Sequence, residues 1–230
     1  MAVLQMALAN IERVDIVTEE TATRVFSFDT ANEASVEAQV SAGTETELRV
    51  KNQILAQNIT EDIVKGFNIT LNDSTFAPDV FALVDGGTST VADDEFQSYT
   101  APVAGQVSAR VKSTLIVYAA EKDYDGNSLS YTAFAFPHAS GTPTSVSLKD
   151  GEFYAPSYTL KSRPSKGDSP MKIDRLPSLP IVVKSASDLP ESPVSGKTVI
   201  LVGASGISGI PDTLAVGSIA KYNGTAYAAV

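Results

Sequence analysis

The 230-residue chain carries 17 Lys+Arg against 27 Asp+Glu, a single His, and neither Cys nor Trp. Disulfides, thiolate nucleophiles, Cys-ligated zinc and iron–sulfur clusters are therefore excluded, and His138 alone cannot build a multi-histidine metal centre. The acid excess is local: residues 1–100 hold 5 basic and 17 acidic side chains, against 9 and 7 in 101–180 and 3 and 3 in 181–230, so the first half would repel a polyphosphate and a conventional DNA-binding module is disfavoured.

Taken in chain order, residues 1–10 lack the basic start and cleavage site of a secretory signal, and no apolar run approaches the roughly 20 residues that span a bilayer. The expectation is a soluble, cytoplasmically made protein with no membrane partner. Residues 3–13 show a weak helical pattern. Residues 23–28 read as a strand, and from 34 to 40 Ala34, Val36, Ala38 and Val40 alternate with Ser35, Glu37 and Gln39, which marks a half-buried strand. After turn residues 41–44 the alternation resumes over 46–52, with Glu47, Arg49 and Lys51 on one side and Leu48 and Val50 on the other; the two stretches are expected to form a hairpin. A strand over 63–71 follows. One helix is predicted over about 75–84: Ser74 or Thr75 caps it, Pro78 suits its first turn, Asp79 complements the dipole, and Gly86-Gly87 ends it, with Phe76, Val80 and Leu83 or Val84 on the packed face.

Residues 108–119, 129–136 and 152–160, rich in β-branched and aromatic side chains, predict three more strands, with a tight turn at Asp125-Gly126-Asn127. Beyond 165, Pro170, Pro177, Pro180, Pro190 and Pro193 predict an extended connector. Short strands over 197–203, 218–223 and 225–230 complete a tail too small to bury a substantial core alone. The chain therefore divides into a main domain over 1–180 and a small β-rich module over 181–230 docked on it. The fold class is mainly β, sandwich- or barrel-like, with one flanking helix.

The candidate chemistry is thin. The apolar strand running into Gly203-Ala-Ser205-Gly206 resembles a nucleotide cradle, but Pro211 and a non-helical pattern follow where a helix N-terminus is needed. Asp123-Tyr-Asp125-Gly126-Asn127 resembles part of a calcium loop, yet Phe134 stands where the bidentate Glu belongs. Asp93-Asp94-Glu95 lacks a spaced partner ligand, and His138 has no evident catalytic partner. The acceptor motifs at Asn58, Asn68, Asn72 and Asn223 have no consequence without a secretory signal. No catalytic, metal or cofactor site is expected, and the chain reads as a structural or binding protein rather than an enzyme.

Residues 45–66, beginning Glu45-Thr-Glu-Leu-Arg49-Val-Lys51-Asn52, continuing through Thr75-Phe76-Ala-Pro78-Asp79 to Gly86-Gly87, resemble a major tail tube protein of long-tailed bacteriophages or phage-like elements. Residues 108–119, Tyr158-Thr-Leu-Lys161-Ser-Arg163-Pro164 and Asp174-Arg-Leu-Pro177 extend the resemblance over about 10–180, and the tail is similar to small β modules appended to phage structural proteins. The resemblance implies hexameric rings stacked into a tube, two hairpins per subunit lining its lumen, and an exterior position for the 181–230 module. It also implies assembly in the host bacterial cytoplasm into a virion tail, alongside tape-measure, tail-terminator and distal tail proteins.

On that reading Glu33, Ser35, Glu37, Gln39 and Glu47 are candidates to line a channel whose acidity lets DNA pass without adhering. The alternative is that this polar face is ordinary exterior surface. Arg49 and Lys51 are candidates for ion pairs with neighbouring strands or subunits. The loop over 85–102 and an N-terminal arm over 1–20 are candidates for segments ordered on assembly. Competing readings are a capsid decoration or head–tail joining protein and a carbohydrate-binding adhesin, the last weakened by the absence of Trp.

Overall fold

The computed structural model describes residues 5–93, 95–108 and 110–230. In chain order the strands are β1 (Leu8–Thr18), β2 (Val25–Phe28), β3 (Ala31–Ser41), β4 (Glu45–Val50), β5 (Gln53–Ile59) and β6 (Ile63–Asp73). The helix α1 (Pro78–Asp85) precedes β7 (Thr88–Ala92), β8 (Glu95–Thr100), β9 (Lys112–Lys122), β10 (Ser128–Gly141), β11 (Ser157–Ser162) and β12 (Lys172–Leu176). The last four strands are β13 (Ile181–Val183), β14 (Val199–Val202), β15 (Ile219–Tyr222) and β16 (Tyr227–Ala229). The mainly β class with one α-helix is as the sequence predicts.

An eight-stranded sheet runs β2-β1-β9-β10-β11-β6-β3, with β12 also paired to β10. It curls strongly. Val14 and Ile16 of β1, Leu115 and Val117 of β9, Phe136 of β10, Tyr158 and Leu160 of β11 and Ile69 and Leu71 of β6 share one buried cluster. Val80, Phe81, Leu83 and Val84 of α1 belong to the same cluster, and β1 and β3 approach each other although they are far apart in strand order. The side-chain period of two then sends the alternate residues of β9 outward, where Ile116 and Tyr118 join Val17, Val25 and Ala133. That outer face is covered by Leu176, Val199 and Leu201.

The chain's last strands form a separate sheet, β13-β14-β15-β16, in which β13 lies parallel to β14. Alternation along β14 serves two surfaces: Val199 and Leu201 pack on the main sheet, while Ile200 and Val202 join Val183, Ile207, Ala220 and Tyr227. Each such burial contributes roughly 1.5–3 kcal/mol, so the module's fold and its docking depend on the same short strand. Polar contacts add direction to the junction. Arg13 Nη1 donates to the Pro180 carbonyl at 2.6 Å, its Nη2 pairs with the buried Asp15 carboxylate at 2.7 Å, and Ser27 donates to the same carboxylate at 2.5 Å. Gly217, at φ 89°, approaches so closely that a Cβ there would lie 2.6 Å from Val17 Cγ1.

Several local expectations need correction. The weakly helical N-terminal stretch is β1, a central strand whose Val14 to Thr18 are buried; a segment so placed is not an arm that waits for assembly, and Met1 to Leu4 lie outside the described residues. The helix begins later than 75: its N-cap is Ala77, without a side-chain hydrogen bond, so neither Ser74 nor Thr75 caps it. Gly86 does end it, at φ 85°. The 85–102 loop contains the β7–β8 ribbon, although Asp94 within it lies outside the described residues. The proline-rich connector includes β12, whose five residues sit between Pro170 and Pro177 and pair with β10.

A candidate assembly surface

The expected hairpin between 34–40 and 46–52 does not form. β3 pairs with β6 from Ala31↔Asp73 to Ser41↔Ile63, and β4 pairs with β5 from Glu45↔Ile59 to Val50↔Gln53. Between the two ladders the chains stay linked. Gly43 N donates to Asp62 Oδ1 at 2.7 Å, Thr44 N donates to Thr60 Oγ1 at 2.7 Å, and Thr60 N donates to the Thr44 carbonyl at 2.9 Å. The result is one long hairpin over 31–73, with β4–β5 nested at the end of β3–β6 and turning through Lys51 at φ 55° and Asn52. Residues 41–44 carry the chain onward instead of back, so the consecutive strands do not pair across them.

At its base this arm belongs to the core, since Ile69 and Leu71 are fully buried. Outward, the cover disappears. Val36, Val40 and Val64 are each about half exposed, and every residue of β4 and β5 is exposed. Leu48, Ile54, Leu55, Ile59 and Ile63 are at least half exposed. The distal ribbon, roughly 20 Å long at about 3.3 Å per residue, has both ladder edges open, a geometry that templates pairing with another chain. An isolated two-stranded ribbon is marginal in water, and exposed apolar clusters of this kind mark interaction surfaces.

The predicted polar residues fall on the outer face of the arm's base. Glu33, Ser35, Glu37 and Gln39 lie opposite Asn72, Thr70, Asn68 and Gly66 in the β3–β6 register, and Asn72 Nδ2 donates to Glu33 Oε2 at 2.7 Å. The register continues to Ser157, Thr159 and Lys161 of β11. Arg163 joins this face, donating to Asn68 Oδ1 at 3.0 Å and the Phe67 carbonyl at 3.2 Å. Lys161 and Arg163 were not anticipated, because only the β11–β6 pairing brings them beside Asn68; the face is therefore mixed in charge. Glu47 lies apart on β4, with Arg49 Nε 3.7 Å away. Gln57 hydrogen-bonds the Glu45 carboxylate on the same ribbon. Lys51 is a turn residue, not a ladder position beside Glu47.

A second uncovered surface surrounds the start of α1. Phe76, Phe81, Tyr99, Val146, Leu148 and Tyr154 line an apolar pocket of about 330 Å³. Its rings interlock, with centroids of Phe76 at 5.4 Å from Phe81, 5.8 Å from Tyr154 and 6.4 Å from Phe96, and Phe81 at 5.0 Å from Tyr99. Asp85 holds the surroundings in place: its carboxylate accepts from the Tyr99 hydroxyl and from Thr144 N at 2.8 Å. Burial, reinforced by that carboxylate, pushes the Tyr99 hydroxyl above the ordinary tyrosine range.

The other candidate residues have local structural uses. His138 stands at φ 50° in the β10 irregularity, its Nδ1 2.6 Å from Glu19 Oε2 and its N–H donating to Glu19 Oε1 at 3.0 Å. Asp123 accepts from Asn127 N at 2.7 Å and Nδ2 at 3.1 Å, closing the β9–β10 turn; these bonds hold its carboxyl below the usual range. β14 runs into turns around Gly206 and Gly209 with no helix following.

No family model and no curated protein sequence matches the chain. Among solved structures it is similar to a chain of the extended sheath–tube complex of an extracellular contractile injection system, PVC, at 14% identity and a TM-score of 0.38, over 72% of this chain and 90% of that one. It is also similar to a chain of the anti-feeding prophage baseplate, at 9% identity and a TM-score of 0.37, over 74% and 97%. Likenesses this distant assign neither partners nor function to the chain.

Proposed function

We propose that the protein is a non-catalytic structural subunit of a phage-type tail tube, polymerising as stacked hexameric rings around a channel that conducts DNA. The observation that carries this reading is the 31–73 arm, a hairpin whose base is built into the core and whose distal strands have open edges and unpartnered apolar side chains. Such an arm is completed by other copies, and closure of the copies around an axis removes the open edges. The sequence resemblance to major tail tube proteins supplies the architecture. In that architecture the polar outer face bearing Glu33, Ser35, Glu37 and Gln39 lines the lumen, with Glu47 further along the arm. Lys161 and Arg163 moderate its charge, and neither forms the continuous basic track that would retain a polyphosphate.

The 181–230 module packs on the outward side of β9, opposite the face that α1 covers, which suits an exterior position. Tape-measure, terminator and distal tail proteins are the other partners of this reading, and the virion tail is its location. Electron microscopy of the purified full chain tests it. Hollow filaments of uniform diameter with six-fold cross-section are expected. A small oligomer that adds only to a preformed shell would identify a decoration or head–tail joining protein instead, and a persistent monomer that binds glycans would identify an adhesin.

A further inference from the structure

We infer that the distal end of the arm in one copy seats in the aromatic pocket beside α1 of a second copy; this rests on the self-assembly reading and names the two surfaces that meet. The distal ribbon carries large apolar side chains on both faces, among polar ones. In the β4–β5 register Leu48 and Val50 fall on one side and Ile54 and Ile59 on the other, so the ribbon is a knob and not a strand with one face to cover. A knob needs a concavity. Among the described residues the pocket lined by Phe76, Phe81, Tyr99, Val146, Leu148 and Tyr154 exposes apolar surface alone, and the neighbouring Phe153 is fully exposed.

Charge supplies the second argument. The turn of the arm carries Lys51, with Arg49 beside it paired to Glu47 at 3.7 Å, whereas the segments that supply the pocket carry exposed Asp93, Glu95, Asp150 and Glu152, with Lys149 engaged by Glu152 at 3.3 Å. Apolar surface therefore meets apolar surface where the Lys51 ammonium meets acidic groups, and such complementarity steers and registers an encounter. The contact is heterologous, since donor and acceptor surfaces differ, and repeated addition of copies gives a closed ring or an open filament. Anchors of this type, aromatic side chains around a desolvated pocket, carry most of the binding energy at interfaces.

The absence of Cys makes the test direct. Two single-cysteine variants of the full chain, Asn52→Cys at the arm's turn and Asp150→Cys at the pocket, are mixed under assembling conditions and oxidised, with Ser35→Cys plus Asp150→Cys as the control pair. The expected result is a disulfide-linked dimer containing one of each variant, enriched about tenfold over the control pair, the ratio that about 1.4 kcal/mol of preference produces. In parallel Lys51→Glu raises the concentration needed for assembly, and adding Asp150→Lys lowers it again. Assembly without the Asn52–Asp150 cross-link, or without rescue, overturns the placement of the arm while leaving the tube reading intact. Failure of the unaltered chain to assemble overturns both.

Discussion

β9 and the β4–β5 ribbon are written in the same residue types and end in opposite environments. In β9, Leu115, Ile116, Val117 and Tyr118 are buried on both faces, by the interior cluster with α1 on one side and by the C-terminal module on the other. In β4–β5, Leu48, Val50, Ile54 and Ile59 are exposed on both faces. β-branched side chains favour a pleated strand in either case, but only the order of strands in the sheet decides whether that strand finds cover inside its own chain. The difference divides the molecule into a region stabilised by itself and a region whose apolar surface none of the described residues covers.

The strongest way to sharpen that division is to damage the self-covered region. Phe136→Ala removes a side chain at the centre of the interior cluster, where Phe67 contributes an edge-on ring at 5.9 Å. The expected loss is about 3–5 kcal/mol, read as a lowered urea midpoint. Next comes Leu201→Ala. Leu201 is fully buried against the outer side of β9 and belongs to the strand that also holds the module together, so a loss of about 2–4 kcal/mol is expected. Two separate unfolding transitions in this variant, one for the module and one for the body, would show that docking and not the module's own core had been lost. A single transition would show the two coupled.

Which parts of this were legible from sequence follows from the same contrast. The β3 alternation of Ala34, Val36, Ala38 and Val40 is a local pattern and gave the strand; its partner was not local, because β6 returns only after β4 and β5 have intervened. The start of β1 carries a weak helical pattern because Leu4, Leu8 and Ile11 fall at a spacing of four and then three, and the period of two is confined to its buried end. β12 hides between two prolines that hold an edge position on β10. At the candidate site, the polar residues of β3 could be read from their spacing, but exposure of the apolar side could not. Alternation announces that one face is meant to be covered and does not say by which molecule. The aromatic pocket is equally unreadable, since Phe76, Tyr99 and the pair Leu148 and Tyr154 come from three separate segments.

A smaller effect probes the self-covered region through pH. The Glu121 carboxyl on β9 is held below its ordinary range chiefly by a hydrogen bond from Ser130 and then by Arg175, whose Nη2 lies 2.6 Å away on β12. A carboxyl with a depressed folded-state value contributes stability that is fully present above the unfolded value, about 4.3, and that disappears as pH falls through the folded value. Ser130→Ala should therefore be less stable than the unaltered chain at neutral pH, with the gap closing as pH drops below about 4. Urea titrations followed by far-ultraviolet circular dichroism across pH 2–7 measure it. A gap that is constant with pH would assign the loss to packing at Ser130 and not to the Glu121 charge.

The smallest expected effect on stability is the one that most directly tests the division. Leu48→Ser acts on a side chain that is 59% exposed in a ribbon without core contacts, so under non-assembling, dilute conditions the urea midpoint should correspond to a change within about 0.5 kcal/mol. If the arm is unpartnered surface, the same substitution should markedly raise the concentration at which filaments appear, because there the serine replaces an apolar side chain that a second copy covers. The two readouts have to separate. A Leu48→Ser variant that loses stability as a monomer would mean that the ribbon folds back on its own body in solution. A variant that keeps both its stability and its assembly would mean that the exposed arm is not the surface through which copies meet.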